Sequence, residues 1–489
     1  MISVEHTGIG TRHESRIKSI ERWADDIFEK RLAFYRKNRF FYESDDAYLE
    51  FLVPPGQRVL ELGCGTGRLL AKLNPSLGVG VDISGNMISV AKDNYPDLIF
   101  VNGDIESPET ISGLLEHGPF DVIILDNTLS YVSDVQYFLE NISQLMSRDT
   151  RIVNAYHSYY WHPITLLASK LNLVLPKPDI TSLRIADVEN FMKLAKLETV
   201  KKERRILCCY RLFGIGKIIN RYIATLPIVR SFCVRNYLVA RNKIDRDPSY
   251  IPSASIIIPC RNEKGNIESA ITRLPEFPGS KEIIFVEGHS TDGTWDEIQR
   301  VMQLHQDETI RAIKQSYDGK GDAVREGFSL ANGEILVILD GDLTVPPEDV
   351  IKFYWAIVDG EGEYINGSRL VYPVEKGAMQ FLNQLANHLF ARVFTYLLNQ
   401  KFTDTLCGTK AISRNHYKLI EKNRAYFGEF DPFGDFDLIF GAAKMNLKFL
   451  EIPVAYASRN YGSTQISRFR HGALLFRMVL FAYRKLKAI

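Results

Sequence analysis

The chain has 489 residues, of which 45% are hydrophobic and 24% charged, an ordinary globular composition with enough apolar material for more than one core. Its formal net charge of +1 excludes a global field that would gather nucleic acid, and no apolar run reaches the roughly 18 residues of a bilayer span. The N-terminus lacks the apolar core of a secretory signal, and Cys64, Cys208, Cys209, Cys233, Cys260 and Cys407 show no CxxC or metal-finger spacing, so reduced thiols in a cytoplasmic setting are expected.

Residues 1–14 carry few apolar side chains and are expected to fray. From Arg16 onward Ile20, Trp23, Ile27, Leu32, Phe34, Tyr48 and Leu52 follow a helical spacing. Short apolar runs at 58–62, 78–82, 98–104, 121–127 and 150–156 then read as strands separated by helical patterns, the mark of a parallel, doubly wound sheet. A helix is expected over 187–197 and a strand over 198–210, with Cys208 and Cys209 on its opposite faces. A last strand over 234–241 completes an antiparallel edge. The polar segment 244–252, with two prolines, reads as a linker. The βα alternation then restarts, with strands at 254–259, 281–288 and 334–342 and helices at 266–274 and 294–303. The expected fold is therefore α/β with two doubly wound domains, 1–243 and 253–489.

The first strand runs directly into Glu61-Leu-Gly63-Cys-Gly65-Thr-Gly67, which opens a helix. Glycines belong where a turn takes positive φ and where a ligand approaches the backbone. Asp82 ends the second strand, where a carboxylate can accept both ribose hydroxyls, and Asp104 ends the third, within reach of an adenine amino group. This ordered set resembles the class I S-adenosylmethionine-dependent methyltransferases over residues 40–160 and, loosely, 160–243. The resemblance implies a Rossmann-like domain that binds S-adenosylmethionine. Glu61, Gly63, Gly65 and Gly67 would line its methionine and ribose side, Asp82 would hold the ribose, and Asp104 with Ile105 would frame the adenine. Asp126 and Asn127 would face the sulfonium. His157 and His162, near Tyr159, Tyr160 and Trp161, are candidates to face a methyl acceptor, with a packed aromatic cluster as the alternative.

In the second half, Asp340-Gly-Asp342 closes the apolar run EILVIL. Two acids one residue apart at a strand end can share a divalent ion and the diphosphate it carries. The series SIIIPCRNEKGNI, EIIFVEGHSTDGT, DGKGDAVREGF and DGD resembles the GT-A fold of inverting family 2 glycosyltransferases, above all the dolichol-phosphate mannose and glucose synthases, over residues 253–466. The resemblance implies a nucleotide-sugar donor, Mg²⁺ or Mn²⁺, and a polyprenyl phosphate or glycan acceptor for a hexosyl transfer. Pro259, Arg261 and Glu263 would hold the base, with Glu287 in a similar role and Lys320 close to the nucleotide. Asp340, Asp342 and Thr344 would bind the metal, and Asp342 would act in catalysis. Arg369 in NGSR would reach the diphosphate. Lys410 in DTLCGTK stands where such enzymes carry an arginine for the acceptor phosphate. Asp435 or Asp437 would meet the acceptor, as a base if it is a hydroxyl. Arg459 would close over the donor, and Gln465 stands where these enzymes carry a lysine. His289 reads as a turn residue.

Two stretches suit an interfacial helix. Residues 378–400 place Phe381, Leu385, Leu389, Val393 and Leu397 on one stripe, for which packing within the domain is expected. At the C-terminus, Leu474, Leu475, Met478, Val479 and Phe481 lie among Arg468, Arg470, Arg477, Arg484, Lys485 and Lys487, a pattern that fits peripheral contact with the cytoplasmic face of a membrane. The expected function is a bifunctional transferase. The alternative is a glycan-chain glycosyltransferase with an S-adenosylmethionine-binding regulatory module.

Overall fold

The computed structural model describes residues 7–171, 174–175, 178, 181–372, 381–428, 434–459, 461 and 468–489. The chain divides into two compact units: Met1–Lys243 together with Lys487–Ile489, and Ile244–Leu486.

The first unit is built on seven strands: β1 (Arg58–Leu62), β2 (Leu77–Asp82), β3 (Ile99–Asn102), β4 (Phe120–Asp126), β5 (Met146–His157), β6 (Leu197–Arg205) and β7 (Arg235–Asn242). Their order is β3-β2-β1-β4-β5-β7-β6. The first five pair in parallel, and β7 runs antiparallel to both β5 and β6. Val59, Leu60, Ile123 and Leu125 are fully buried, because helices cover both faces of a parallel sheet and every position of a central strand is inside. The order reverses between β1 and β4, so their carboxyl ends open the crevice where doubly wound sheets bind ligands.

Two local expectations are corrected. The N-terminal segment is helical from Thr7, in three helices, Thr7–Asp26, Phe28–Lys37 and Arg39–Leu52; helical hydrogen bonds are local, so a polar start can still be helical. The strand expected over 198–210 stops at Arg205, because Ile206 takes φ 64°. Cys208 and Cys209 therefore lie beyond it, where the Asn220 side-chain oxygen accepts from the N–H groups of Leu207 and Cys208 at 3.0 and 2.9 Å.

The second unit holds β8 (Ala254–Cys260), β9 (Lys281–Glu287), β10 (Ile310–Lys314), β11 (Ile335–Ile338), β12 (Tyr364–Ser368), β13 (Lys410–Ser413) and β14 (Phe449–Pro453). Their order is β10-β9-β8-β11-β13-β12-β14. Strands β8 to β11 pair in parallel, β13 is antiparallel to β11 and β12, and β14 is parallel to β12. Here the switch lies between β8 and β11. Residues 244–252 carry no helix or strand, and Arg246 is held by Asp359 at 3.3 Å and lies over the Trp355 ring.

One residue of the stripe expected in Phe381–Leu398 and one of the basic rim expected at the C-terminus are also corrected. In Phe381–Leu398 the buried side chains include Ala391, Phe394, Leu397 and Leu398, whereas Leu389 is exposed. A strict four-residue stripe drifts about 40° per step around a helix of 3.6 residues per turn, so it cannot stay on one face. Phe381 and Leu385 lie outside the residues whose side chains are described. In Arg468–Ala482, Leu475 and Met478 are buried while Phe476 and Leu480 are exposed. Lys487, expected on a basic rim, is buried and paired with Glu203 at 2.5 Å. No helix among the described residues is long and apolar enough to cross a membrane.

Candidate functional site

The crevice of the first unit holds a cavity of about 410 Å³, within the range of small-molecule sites. Its floor is the turn after β1. Gly63 takes φ 81°, and a Cβ there would lie 2.9 Å from Thr128 Oγ1. At Gly67, with φ 71°, a Cβ would lie 2.5 Å from the Phe100 ring. Gly65, with φ 55°, meets open space, so the chain leaves room there for a ligand to touch backbone. Asp82 binds the turn together: its Oδ2 accepts from Gly65 N–H at 2.7 Å and its Oδ1 from Ser84 N–H at 2.9 Å. Each oxygen keeps a lone pair for another donor. Asp104 Oδ1 accepts from Glu106 N–H at 2.9 Å, and Ile105 lies beside it in the wall. Glu61 is buried, its Oε2 has no hydrogen-bond partner, and burial, then the Asp126 charge, push its carboxyl well above the usual range. A buried carboxylate oxygen without a hydrogen bond is costly, and a cationic ligand in the cavity would supply a partner.

In the second unit, Asp340 and Asp342 follow β11. Lys320 opens the helix Lys320–Leu330, and its Nζ lies 2.6 Å from Asp340 Oδ1 and 3.7 Å from Asp435 Oδ1. Lys410, at the start of β13, is buried and meets Asp435 at 3.2 Å. Asp340 and Asp435 are thus bridged by Lys320, with Lys410 closing the far side. Burial would raise the Asp340 carboxyl, but the Lys320 ammonium outweighs it and holds it below the usual carboxylate range. Asp342 Oδ1 accepts from the Thr344 hydroxyl at 2.9 Å, and its Oδ2 pairs with Arg459 at 2.5 Å. Burial and the Asp342 charge raise Glu263 to about 7. Two hard carboxylates two residues apart at a strand tip are a donor set that suits a divalent cation.

Two family models match the chain: "Methyltransferase domain" over residues 54–202 and "Glycosyl transferase family 2" over residues 255–420. The chain joins a methyltransferase domain to a family 2 glycosyltransferase domain. Among curated proteins it is similar to glycosyltransferase AglJ of Haloferax volcanii, 29% identical over 47% of this chain and 71% of that one. It is similar to a dolichyl-phosphate hexose transferase of the same organism, 27% identical over 46% of this chain and 92% of that one. A dolichol-phosphate mannosyltransferase of Saccharomyces cerevisiae is 38% identical over 22% of this chain, a match that spans 41% of the yeast protein.

In the methyltransferase domain all eight residues expected to bind the cofactor cluster at the tips of β1, β2, β3 and β4, and Glu61, Gly63, Gly65, Asp82, Asp104, Ile105 and Asp126 line the cavity. Asp126 Oδ1 accepts from Asn127 Nδ2 at 3.0 Å and from Arg235 at 2.5 Å, so it is half of a buried network. The other half, Arg235 with Asp45 at 2.8 Å, is absent from the sequence reading. Its residues lie 190 apart, and only the pairing of β5 with β7 brings Arg235 to the site. Arg31 and Tyr35, on the second N-terminal helix, also line the cavity, Arg31 Nε donating to Tyr35 Oη at 3.1 Å. His157 and Trp161 are in the wall, with His157 stacked on Phe41 at 5.8 Å, while Tyr159 and Tyr160 are exposed. His162 does not line the cavity.

In the glycosyltransferase domain Pro259, Arg261, Glu263 and Glu287 gather at the carboxyl ends of β8 and β9, with Arg261 exposed and Glu287 Oε1 accepting from Ser290 N–H at 2.5 Å. His289 is exposed in the next turn with φ 58°. The structure separates the two acids that the sequence leaves as alternatives. Asp435 faces Lys320 and Lys410, while Asp437 turns to Arg424 at 2.8 Å and Arg325 at 3.8 Å. Arg369 has its guanidinium fork closed on Asp404 at 2.7 and 2.8 Å. Asp404 opens the DTLCGTK segment but is not singled out by the sequence. Gly408 in that segment passes so close that a Cβ would collide with Asp340 Oδ2 and Lys320 Nζ. Gln465 lies outside the described residues.

Proposed function

We propose that the two domains form a bifunctional enzyme, comprising residues 1–243 and 253–489. The first would move a methyl group from S-adenosylmethionine. The second would carry a hexosyl group, with inversion, from a nucleotide sugar to a polyprenyl phosphate. The observation that carries the acceptor assignment is the double pairing of Asp435 with Lys320 and Lys410. Two ammonium groups beside Asp435 make the acceptor side electropositive, which suits a phosphate oxygen that is already anionic and needs no base. The relatives named for dolichol-phosphate chemistry support the same choice.

In this reading Asp340 and Asp342 hold Mg²⁺ or Mn²⁺, which when bound neutralises charge on the departing nucleoside diphosphate. Thr344 and Arg459 fix the direction of Asp342. Lys320 sets Asp340 and presents positive charge beside the diphosphate. Pro259, Arg261, Glu263 and Glu287 border the base, Arg369 belongs to the diphosphate side and Lys410 to the acceptor side. The acceptor phosphate oxygen forms the new bond to the anomeric carbon from the face opposite the leaving diphosphate, whose bond to that carbon breaks. In the methyltransferase domain Asp82 offers its spare lone pairs to the ribose, and Asp104 with Ile105 frames the adenine. Asp126 faces a cationic donor, whose charge would draw the buried Glu61 carboxyl to its ionised form. Methyl transfer to an acceptor is then a matter of alignment and exclusion of water.

The test is transfer by the purified chain with Mg²⁺ or Mn²⁺, using a panel of labelled nucleotide sugars offered to polyprenyl phosphate and, separately, to oligosaccharides. Labelled lipid from one donor is expected. Transfer to oligosaccharide alone would replace this reading with that of a glycan-chain enzyme whose N-terminal domain is regulatory.

A further inference from the structure

The methyltransferase domain exposes apolar side chains on two segments that border its cavity. The helix His162–Lys170 has no buried residue. Ile164, Leu166 and Leu167 on it, with Tyr160 before it and Leu171 after it, are all more than half exposed. The second segment exposes Tyr210, Leu212, Ile215, Ile218 and Phe232; Phe213 on it is fully exposed and Ile228 80% exposed. Scattered apolar residues at a surface are normal, but this many on adjacent segments marks an interaction surface. The segments are joined: Trp161 Nε1 donates to Phe232 O at 2.9 Å, Ser158 N–H donates to Val234 O at 2.7 Å, and the Arg204 guanidinium lies 5.8 Å from the Tyr160 ring.

The charge on these segments has one sign. Residues 150–178 and 206–243 contain no aspartate or glutamate. Lys170, Arg211 and Lys217 are exposed among the apolar side chains, and Arg204 and Arg230 are half-buried beside them. A second copy of the same face would set like charges against each other, which opposes self-association. An anionic bilayer offers what both features need: acyl chains for the apolar residues and phosphate headgroups for the basic ones.

We propose that the segments Tyr159–Leu171 and Tyr210–Phe232 dock the methyltransferase domain on an anionic lipid surface. Trp161, Thr165 and Tyr210 belong both to these segments and to the cavity wall, so docking sets the cavity mouth at the headgroup layer. The methyl acceptor is then a molecule that is itself embedded in the bilayer. That last step rests on the methyltransferase reading of the cavity; the docking does not.

The experiment is sedimentation of the full chain with phosphatidylcholine vesicles, with and without about one-third phosphatidylglycerol, at low and high salt. Binding is expected with the anionic vesicles only, weakened by salt. The double variant Phe213→Asp/Ile228→Asp should bind about tenfold more weakly with an unchanged unfolding midpoint, since both side chains are exposed and neither lines the cavity. Arg211→Glu/Lys217→Glu should weaken binding and flatten its salt dependence. Unchanged binding by both variants, or equal binding to neutral vesicles, would overturn the proposal. So would concentration-dependent self-association that the first variant abolishes while vesicle binding is absent throughout. Vesicle binding is read without turnover, so its failure is distinct from failure of the methyltransferase reading.

Discussion

Lys320 Nζ stands 2.6 Å from Asp340 Oδ1 and 3.7 Å from Asp435 Oδ1. One ammonium therefore links the strand-tip acid that would face the donor to the acid that would face the acceptor. Burial would lower the Lys320 charge, but Asp340 and Asp435 outweigh it and keep the group protonated. Lys320→Met should reduce sugar transfer by about 10²-fold or more while leaving the unfolding midpoint of the methyltransferase domain unchanged. Steady-state rates with the preferred nucleotide sugar check this. A rate within a factor of about three of the parent would remove Lys320 from the site.

Gly408→Ala should act on the same place by steric means. The added methyl would collide with Asp340 Oδ2 and Lys320 Nζ, so either the segment or the pair must move. Displacement of about 1 Å at such a site costs roughly a hundredfold in rate. The variant should lose at least about tenfold in sugar transfer and keep its S-adenosylmethionine affinity.

Glu61→Gln should trade function for stability. The folded-state pKa of Glu61 is raised by burial and by Asp126. A raised carboxyl contributes stability that is complete below the unfolded value of 4.5 and is lost as pH rises through the folded value. Replacing it with an amide removes that loss. At pH 7 the ligand-free methyltransferase domain should become more stable by about 1–3 kcal/mol, with a flatter dependence on pH above the unfolded value. S-adenosylmethionine should bind at least about tenfold more weakly. Urea unfolding against pH, paired with equilibrium binding, checks both halves.

Asp404 behaves in the opposite sense. Burial would raise its carboxyl, but Arg369 and two backbone N–H groups outweigh it and lower it. The stability it contributes is present above the unfolded value of 3.8 and is lost as pH falls through the lower folded value. Asp404→Asn leaves a buried guanidinium without its counter-charge and should cost the glycosyltransferase domain about 3–5 kcal/mol at neutral pH. As pH falls below the unfolded value of 3.8 and through the lower folded one, the gap between variant and parent should narrow, which acid titration of the unfolding midpoint reads directly.

The parallel core of each sheet was legible because most of its strands hold short continuous apolar runs followed by helical patterns, as in VIIL of β4 and III of β8. The strand-tip residues were legible for a related reason: a carboxylate or glycine directly after such a run has few structural uses. Strands β10, β13 and β14 were not, because IRAIK, KAIS and FLEIP are 4 or 5 residues long and carry charges or a proline. The ion-pair network of Asp45, Asp126 and Arg235 was hidden by separation along the chain, and the pairing of Arg369 with Asp404 likewise. Asp435 and Asp437 were equivalent in sequence. They were distinguished only once Asp435, at the start of the helix Phe436–Lys444, met Lys410 while Asp437, within its first turn, met Arg424.

In this reading one chain carries two independent donor sites. Calorimetric titration of the intact protein with S-adenosylmethionine, and separately with nucleoside diphosphates in Mn²⁺, tests it in wild type, Asp82→Ala and Asp340→Ala/Asp342→Ala. Each variant is predicted to lose one ligand and bind the other with the parent's affinity. Retention of S-adenosylmethionine by Asp82→Ala, or of the diphosphate by the double variant, would contradict the account.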